Sequence, residues 1–254
     1  MRKLICGLVC LMAVMSTLLP VAVFAQETEQ QLSLYLELYV DAGKRTDFET
    51  VHLDRNQRLA AANVSFGFVS AVSDQGVYRF LTNGLPNMAA LDTRAAQMRR
   101  VTPASPAMLL LGEAIERNES SIRRQRPELS YVPANPRISV GEAGFFRELK
   151  FYFKGGGGAA QDATEIMQRF RALYEANDIS MGYTVNSRVL GTGANLRVIF
   201  FARDAVDFYT ANGEAVERMG QEFQTLATEL IALCTQTEFT NWTIRRDLSY
   251  QPAN

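Results

Sequence analysis

An internal repeat is the feature of this 254-residue chain that most restricts its fold. The segment 128–135, Glu-Leu-Ser-Tyr-Val-Pro-Ala-Asn, returns as 247–254, Asp-Leu-Ser-Tyr-Gln-Pro-Ala-Asn. An Ile-Arg-Arg triplet precedes each copy, at 122–124 and at 244–246. Similarity that recurs at a nearly constant separation indicates that one structural unit occurs twice in the chain.

Two earlier pairs of segments support the same repeat. Residues 36–40, Leu-Glu-Leu-Tyr-Val, are similar to 149–153, Leu-Lys-Phe-Tyr-Phe, and residues 63–68 are similar to 178–183. All of these matches occur in the same order in both halves of the chain. We therefore predict that the chain is a tandem duplication.

The two predicted units, residues 30–135 and 146–254, have the same order of elements. Alternating apolar residues indicate strands, while apolar stripes and a capping box at Thr46 and Glu49 indicate helices. Each unit follows the order β-α-β-β-α-β. The predicted strands are 34–40, 65–72, 76–81 and 120–132 in the first unit and 149–154, 180–190, 195–201 and 240–250 in the second, with helices at 46–62, 86–99, 106–117, 160–176 and 204–235.

This order is that of the ferredoxin-like unit, an antiparallel sheet with helices on one face only. The uncovered sheet face must be buried or stay wet, and two units in one chain can bury these faces against each other. In element order and duplication, residues 30–254 resemble the dimeric α/β-barrel superfamily, including NIPSNAP-like and antibiotic-biosynthesis-monooxygenase-like proteins. The resemblance implies an α+β fold of two tandem ferredoxin-like units packed sheet to sheet as a pseudo-dimeric α/β barrel.

Residues 1–25 have the layout of a secretory signal peptide. Arg2 and Lys3 precede an uncharged apolar run, and Val23-Phe24-Ala25 ends it just before a polar segment. We expect cleavage after Ala25 and a periplasmic or secreted protein without a membrane span. An uncleaved membrane anchor is the alternative, because the apolar run is nearly long enough to cross a bilayer.

The charge balance and the cysteines restrict the partners. With 26 basic and 27 acidic residues the chain has no basic excess, which argues against nucleic acid as the main partner. Signal cleavage would leave Cys234 alone, so it cannot form an internal disulfide. We expect Cys234 to be a core residue on an apolar helical stripe; a nucleophile or a dimer bridge is the alternative. Oligomers are compatible with the sequence.

Strand alternation suggests a ligand site. In the first strand of each unit the aliphatic residues share one face, while Glu37 and Tyr39, or Lys150 and Tyr152, lie on the other. We expect the mixed faces to point into the space between the sheets, where the resemblance places ligand sites. A Glu37–Lys150 pair there is either a structural salt bridge on the sheet or part of a polar pocket with tyrosine walls.

Arginines of the closing strands are further candidates. Arg123, Arg124 and Arg126 lie in the first unit and Arg245 and Arg246 in the second, on both strand faces. An inward guanidinium binds a carboxylate or phosphate in bidentate fashion. From this set the tentative ligand-binding residues are Arg124 and Arg246; ion pairing at the surface or between the sheets is the alternative.

Other motifs for catalysis are nearly absent. The only histidine, His52, shares a predicted helix face with Phe48 and Leu59, so we expect a partly buried helix residue and no metal site. The resemblance includes haem-binding proteins that use a histidine in the barrel, and the second unit has none. The glycines at Gly155–Gly158 lack a phosphate-binding motif, which predicts a flexible connector. We expect no cofactor, and no catalytic residue is identified.

Three classes of function remain, and we favour the first. It is an exported soluble protein that binds a small molecule between the two sheets. The second is a cofactor-free monooxygenase or isomerase acting on an aromatic substrate, and the third is a ligand-free interaction module with a filled barrel. An open cavity faced by Glu37, Tyr39, Lys150 and Tyr152 favours the first two classes, whereas large apolar interior residues favour the third.

Overall fold

Eight antiparallel strands and their helices follow the order β-α-β-β-α-β twice in the computed structural model of this α+β protein. The predicted signal peptide, residues 1–25, lies outside the described residues, and so its cleavage after Ala25 stays a prediction. The structure describes residues 32–101, 111–155 and 158–252.

The elements agree with the predicted ones to within a few residues in most cases. Residues 106–110 of the predicted helix 106–117 and residues 156–157 of the Gly155–Gly158 connector lie outside the described residues. Residues 111–114 are helical, but 115–117 belong to a strand and not to the predicted helix. The strands are β1 Leu32–Val40, β2 Val69–Ser73, β3 Val77–Leu85, β4 Ile115–Gln125, β5 Phe145–Phe153, β6 Tyr183–Gly191, β7 Leu196–Ala202 and β8 Cys234–Ile244, and the helices are α1 Arg45–Ala61, α2 Ala89–Val101, α3 Ala159–Ala176 and α4 Ala205–Ala232.

The strands form one closed barrel in the order β1-β3-β2-β8-β5-β7-β6-β4. The two halves meet at two seams, where β2 pairs with β8 and β4 pairs with β6. The predicted barrel is therefore confirmed, but its sheets join edge to edge and not sheet to sheet as expected. An open sheet leaves unpaired N–H and C=O groups along its edge strands, and pairing at both seams satisfies them.

The strand faces divide as the alternation predicts. On β1, Leu36 and Leu38 pack against the core beneath α1, which includes Phe48 and Leu59. The intervening residues of β1 point into the barrel, and the same division holds for β5. Helices thus cover the outer face of the barrel, and in the described part of the chain none of them is long and apolar enough to cross a membrane.

The closing strands differ from the prediction. Strands β4 and β8 begin and end earlier than the predicted 120–132 and 240–250, so the Leu-Ser-Tyr repeats follow the strands as turns. The backbone reason is visible at Leu129, whose N–H donates to the carbonyl of Arg126 and turns the chain away from the sheet. Cys234 begins β8 instead of ending a helix; it is half-buried against the outer core, and burial raises the pKa of its thiol.

We call the Leu-Ser-Tyr segments 129–131 and 248–250 the clasps, because each holds the other half of the chain. Tyr131 and Tyr183 exchange two backbone hydrogen bonds of 3.0 and 2.9 Å. In addition, the Ser130 hydroxyl accepts a hydrogen bond from the backbone N–H of Val185 at 2.9 Å. The first clasp therefore extends the β4–β6 seam.

The second clasp makes the same contacts across the β2–β8 seam. Tyr250 and Phe68 exchange backbone hydrogen bonds of 2.8 and 3.0 Å, and the Ser249 hydroxyl accepts from the N–H of Ser70 at 2.9 Å. The other repeated segments complete these contacts, because a Cβ at Gly182 would lie only 2.8 Å from the carbonyl oxygen of Tyr131. The repeated motifs are thus partners of one another, and they hold the barrel closed.

Candidate functional site

The inside of the barrel contains charged side chains that are almost completely buried. Strand alternation directs them inward from β1, β3, β4, β5 and β7, and none is more than 8% exposed. Four of them are basic and two are acidic, so their charges do not balance. These residues are Glu37, Arg79, Arg123, Glu148, Lys150 and Arg197.

Two arginines share the two carboxylates. Arg79 Nη2 donates to Glu37 Oε1 at 2.7 Å and to Glu148 Oε2 at 2.5 Å. Arg197 Nη1 donates to Glu37 Oε1 at 2.6 Å and to Glu148 Oε1 at 3.1 Å. Each carboxylate therefore bridges both arginines, which joins β1 and β3 of the first half to β5 and β7 of the second.

The arginines keep both carboxylates ionised. Burial alone would raise the pKa of Glu37, but the Arg79 and Arg197 guanidiniums outweigh burial and hold that pKa well below its ordinary range. The pKa of Glu148 is lowered by the same two arginines against the same effect of burial. Conversely, burial would lower the pKa of Arg197, and the two carboxylates raise it.

Aromatic rings surround these ion pairs. The guanidinium carbon of Arg79 lies 3.9 Å from the ring centroid of Trp242. Tyr35 faces three guanidiniums, with centroid distances of 5.3 Å to Arg79, 5.6 Å to Arg123 and 5.1 Å to Arg197. Because the negative face of an aromatic ring attracts a cation, these rings partly replace the water that burial removes.

The sequence prediction missed Arg79, Glu148 and Arg197. For the two arginines a signal was present, because Arg79 and Arg197 are single charges within β3 and β7, at matching positions of the two halves. The predicted Glu37–Lys150 pair is present but long. Lys150 Nζ lies 4.0 Å from Glu37 Oε2, whereas Arg79 and Arg197 lie within 2.7 Å of Glu37 Oε1. The planar guanidinium suits a shared carboxylate better than the ammonium group does.

A polar cavity of about 350 Å³ lies next to the ion pairs, at the end of the barrel that carries the β2–β3 turn. Of the predicted site residues, the structure brings Glu37, Tyr39 and Lys150 to its wall. Lys150 Nζ lies 3.5 Å from Glu238 Oε2, a carboxylate that is about one-third exposed. The other walls include Gln75, Thr240 and Trp242.

The tyrosines at this end of the barrel are protonated donors. Tyr39 donates its hydroxyl to Glu119 Oε1 at 3.4 Å, and the guanidinium carbon of Arg117 lies 3.7 Å from the Tyr39 ring centroid. Burial and the neighbouring Glu119 raise the pKa of Tyr39. Burial and Glu238 likewise raise the pKa of Tyr152, which is half-buried but does not line the cavity.

Arg124 and Arg246, the other two predicted site residues, lie elsewhere. Arg124 is the neighbour of the inward Arg123 on β4, and therefore faces the outside of the barrel. Arg246 follows the end of β8 and donates to the carbonyls of Gly141 and Ala143, each at 2.8 Å. It thereby holds the segment that connects the two halves. Of Arg123 and Arg124, the residue that points into the barrel is Arg123. The prediction chose Arg124 because an error of one residue along a strand assigns a side chain to the wrong face.

His52 lies outside the barrel, on the buried face of α1. It is more buried than predicted, at 1% exposure, and is packed between Phe48 and Phe80 with ring centroids 4.4 and 4.5 Å away. Burial and the nearby Arg55 lower its pKa well below the ordinary value. As the chain's only histidine, it cannot ligate a haem placed inside the barrel, so these residues do not fit a histidine-ligated haem there. Across the described ranges, no three His, Cys, Asp or Glu side chains are grouped to hold a metal ion.

A second cavity, of about 190 Å³, lies between the outer face of strands β5–β8 and helices α3 and α4. Its walls are apolar and include Phe151, Met167, Phe170 and Ala227. Tyr183 also lines the cavity. Its buried hydroxyl oxygen has no hydrogen-bond partner in the described part of the chain. An apolar cavity of this size stays dry and accepts a small aromatic molecule.

Comparisons with known proteins show the fold alone. Neither a protein-family model nor a curated protein matches the chain. An anthrone oxidase-like protein is similar in structure, with a TM-score of 0.63 at 9% identity over 89% of this chain and 95% of its own. A proposed monooxygenase from Lactobacillus acidophilus has a TM-score of 0.54 at 9% identity, over 89% and 98%. A mutant chlorite dismutase from Candidatus Nitrospira defluvii has a TM-score of 0.54 at 10% identity, over 87% and 94%.

Proposed function

We propose that this protein binds a small polar molecule inside its barrel, in the cavity beside Lys150. The observation that carries the proposal is an open polar space of about 350 Å³ at one end of the barrel interior. Ligand pockets are concave and contain a few polar groups at fixed positions. A ligand-free interaction module has no need of such a space, so the cavity favours binding over that alternative.

The chemistry of the wall favours binding over proton transfer. A general base works best when its pKa lies near the operating pH. The arginines instead lower the pKa of Glu37 and of Glu148, which makes both carboxylates weak bases. Their permanent charge suits them to hold the barrel and its ligand in a fixed geometry.

We further propose that the protein is exported to the periplasm or secreted after cleavage behind Ala25, and that the chain arose by tandem duplication of a ferredoxin-like unit. The layout of residues 1–25 supports export, and the reciprocal clasps support the duplication. Export is tested by sequencing the N-terminus of the protein from the cells that naturally make it. We expect it to begin at Gln26, and an intact Met1 contradicts the proposal.

Blocking the cavity mouth should prevent ligand retention without unfolding the protein. Gln75 is exposed on the β2–β3 turn and lines the cavity, so the indole of Gln75→Trp occupies the entrance and not the core. We expect native mass spectrometry of the protein from its natural source to show a bound molecule that is lost from Gln75→Trp. The control Asp74→Trp adds the same bulk to the same turn, where Asp74 does not line the cavity.

The control should keep the bound molecule, and all three proteins should unfold at the same temperature. Equal occupancy in Gln75→Trp and Asp74→Trp would show that the molecule lies elsewhere. A protein that carries no additional mass in any of the three forms would contradict the proposed function.

The apolar cavity supports a second candidate function, the binding or oxidation of a small aromatic molecule. The specific observation is the unpaired Tyr183 hydroxyl at an otherwise apolar wall, where the rest of the described chain offers it no partner. Two structurally similar proteins, a proposed monooxygenase and an anthrone oxidase-like protein, have names that agree with this candidate. The cavity is on the helix-covered face, so it is independent of the barrel.

This candidate is tested with 1-naphthol, which combines an aromatic body with one hydroxyl. We expect Ala227→Leu to fill the cavity, abolish naphthol binding and stabilise the fold by about 0.5–2 kcal/mol. Tyr183→Phe should weaken binding by about two- to tenfold, the effect of one hydrogen bond. Ala232→Leu, at an exposed position of the same helix, serves as the control in isothermal titration. Unchanged binding in Ala227→Leu would exclude this cavity.

A further inference from the structure

The buried charges of the barrel leave two cations without a buried carboxylate of their own. Glu37 and Glu148 are each occupied by Arg79 and Arg197. Arg123 instead donates to the carbonyl of Ala194 at 2.8 Å and to the Ser121 hydroxyl at 3.2 Å, both neutral acceptors. A buried charge that lacks a counter-charge is costly, so a surplus of positive charge in the interior requires compensation.

Lys150 is the surplus cation at the cavity. The carboxylate oxygens nearest to its Nζ belong to Glu238, at 3.5 Å, and to Glu37, at 4.0 Å. Both distances exceed the roughly 2.7–2.9 Å of a charge-assisted hydrogen bond. The Glu238 carboxylate is also occupied by Gln236, whose Nε2 donates to it at 2.7 Å. The ammonium group thus has donors to offer to a molecule in the cavity.

Among the described residues, the buried polar side-chain atoms that lack a partner inside the barrel are all donors. Trp242 lines the cavity and is 1% exposed, and within the described ranges its Nε1 has no hydrogen-bond partner. Arg123 Nη1 and Arg197 Nε, which do not line the cavity, are likewise buried without a hydrogen-bond partner in the described ranges. Burial and the like charge of Arg197 lower the pKa of Arg123 to about 9, a second sign that positive charge is in excess. Donors without acceptors are complementary to an acceptor-rich ligand.

The carboxylates at the cavity do not oppose this complementarity. Glu37 faces the cavity but is neutralised by two arginines. Glu238 is about one-third exposed, so its side chain can turn to solvent when another carboxylate replaces it at Lys150. Arg117, the remaining charged side chain at the wall, is paired with Glu119 at 3.3 Å and therefore adds no surplus charge of either sign.

From this placement we infer that the barrel cavity binds a small oxyanion, a carboxylate or phosphate group that replaces Glu238 at Lys150. The inference rests on the proposed barrel function and names its ligand class. It goes beyond that function because a polar cavity alone does not distinguish an anion from a neutral molecule. The deciding observation is that Lys150 and Trp242 supply donors at one wall.

The experiment compares malonate, inorganic phosphate and the neutral isostere malonamide, with chloride at equal ionic strength as reference. We expect isothermal titration to detect malonate or phosphate and not malonamide, and the arm that binds identifies carboxylate or phosphate chemistry. Lys150→Met should weaken anion binding at least tenfold. It should keep the fold, because it removes a surplus charge. Glu238→Gln should strengthen binding several-fold, since the competing carboxylate is gone.

Arg218→Met is the matched control, because it removes one positive charge from an exposed site on α4. Anion binding that survives in Lys150→Met, or malonamide binding equal to that of malonate, would overturn the inference. The natural protein could instead retain a neutral molecule that is lost from Gln75→Trp. That result would support the proposed binding function and contradict only the inference that the ligand is an anion.

Discussion

Replacing Glu148 by Gln will lower the free energy of unfolding by about 3–5 kcal/mol, the usual cost of removing one partner from a buried ion pair. Glu148 is 0% exposed and accepts from both Arg79 and Arg197. The amide keeps the shape of the side chain but removes its charge. Of the described residues, Glu37 then remains the one buried carboxylate beside the guanidiniums of Arg79, Arg123 and Arg197, and the surplus of positive charge grows. Urea denaturation at neutral pH measures the loss.

The control is Glu229→Gln, which removes the same charge from an exposed pair. Glu229 accepts from Arg169 at 2.5 Å, but the two side chains are 39% and 54% exposed. Water screens such a pair, so we expect a change of about 0–1 kcal/mol. Equal effects of the two substitutions would show that water reaches the centre of the barrel, and that the charges there are not compensated by one another.

Replacing Leu248 by Ala will destabilise the protein by about 2–5 kcal/mol, as is typical when a buried leucine is truncated. Leu248 is 0% exposed in the core beneath α1, yet it belongs to the clasp of the other half of the chain. Its loss therefore acts on the β2–β8 seam. We expect the amides of Phe68 and Ser70 to exchange hydrogen faster, because their acceptors are in this clasp.

Two comparisons make this prediction specific. Leu53→Ala, at a residue that is 41% exposed on α1, should change stability by about 0.5 kcal/mol or less. In Leu248→Ala the amides of Tyr183 and Val185 should keep their protection, since the first clasp holds them. If all four amides lost protection equally, the two seams would open as one unit and the clasps would not act separately.

Local sequence patterns predicted the elements and the strand faces. Alternation on β1 and β5 placed Glu37 and Lys150 inside and the leucines outside, because side chains of a strand alternate whatever the strand pairs with. The helices α1 and α3 were predicted to within one or two residues, α1 from a capping box at Thr46 and Glu49 and α3 from its apolar stripe. The capping box itself is not formed, because the N-cap of α1 is Lys44. The closing strands β4 and β8 were predicted too far toward the C-terminal end of each half. The cause is that the clasps, which follow these strands, contain residue types that are common in strands although they lie in turns.

The sequence by itself determined which residues of each strand share a face and that opposite charges approach at the centre, and it predicts two similar units. Only the tertiary structure decided how the strands of the two halves join and that each Leu-Ser-Tyr repeat contacts the opposite half. It also decided that Arg79 and Arg197 both donate to Glu37 and to Glu148. The reason is physical. Alternation and helical period act between neighbours in the chain, whereas edge pairing and shared carboxylates join residues 42 to 160 positions apart. Their partners are chosen by burial and charge balance once the barrel has closed.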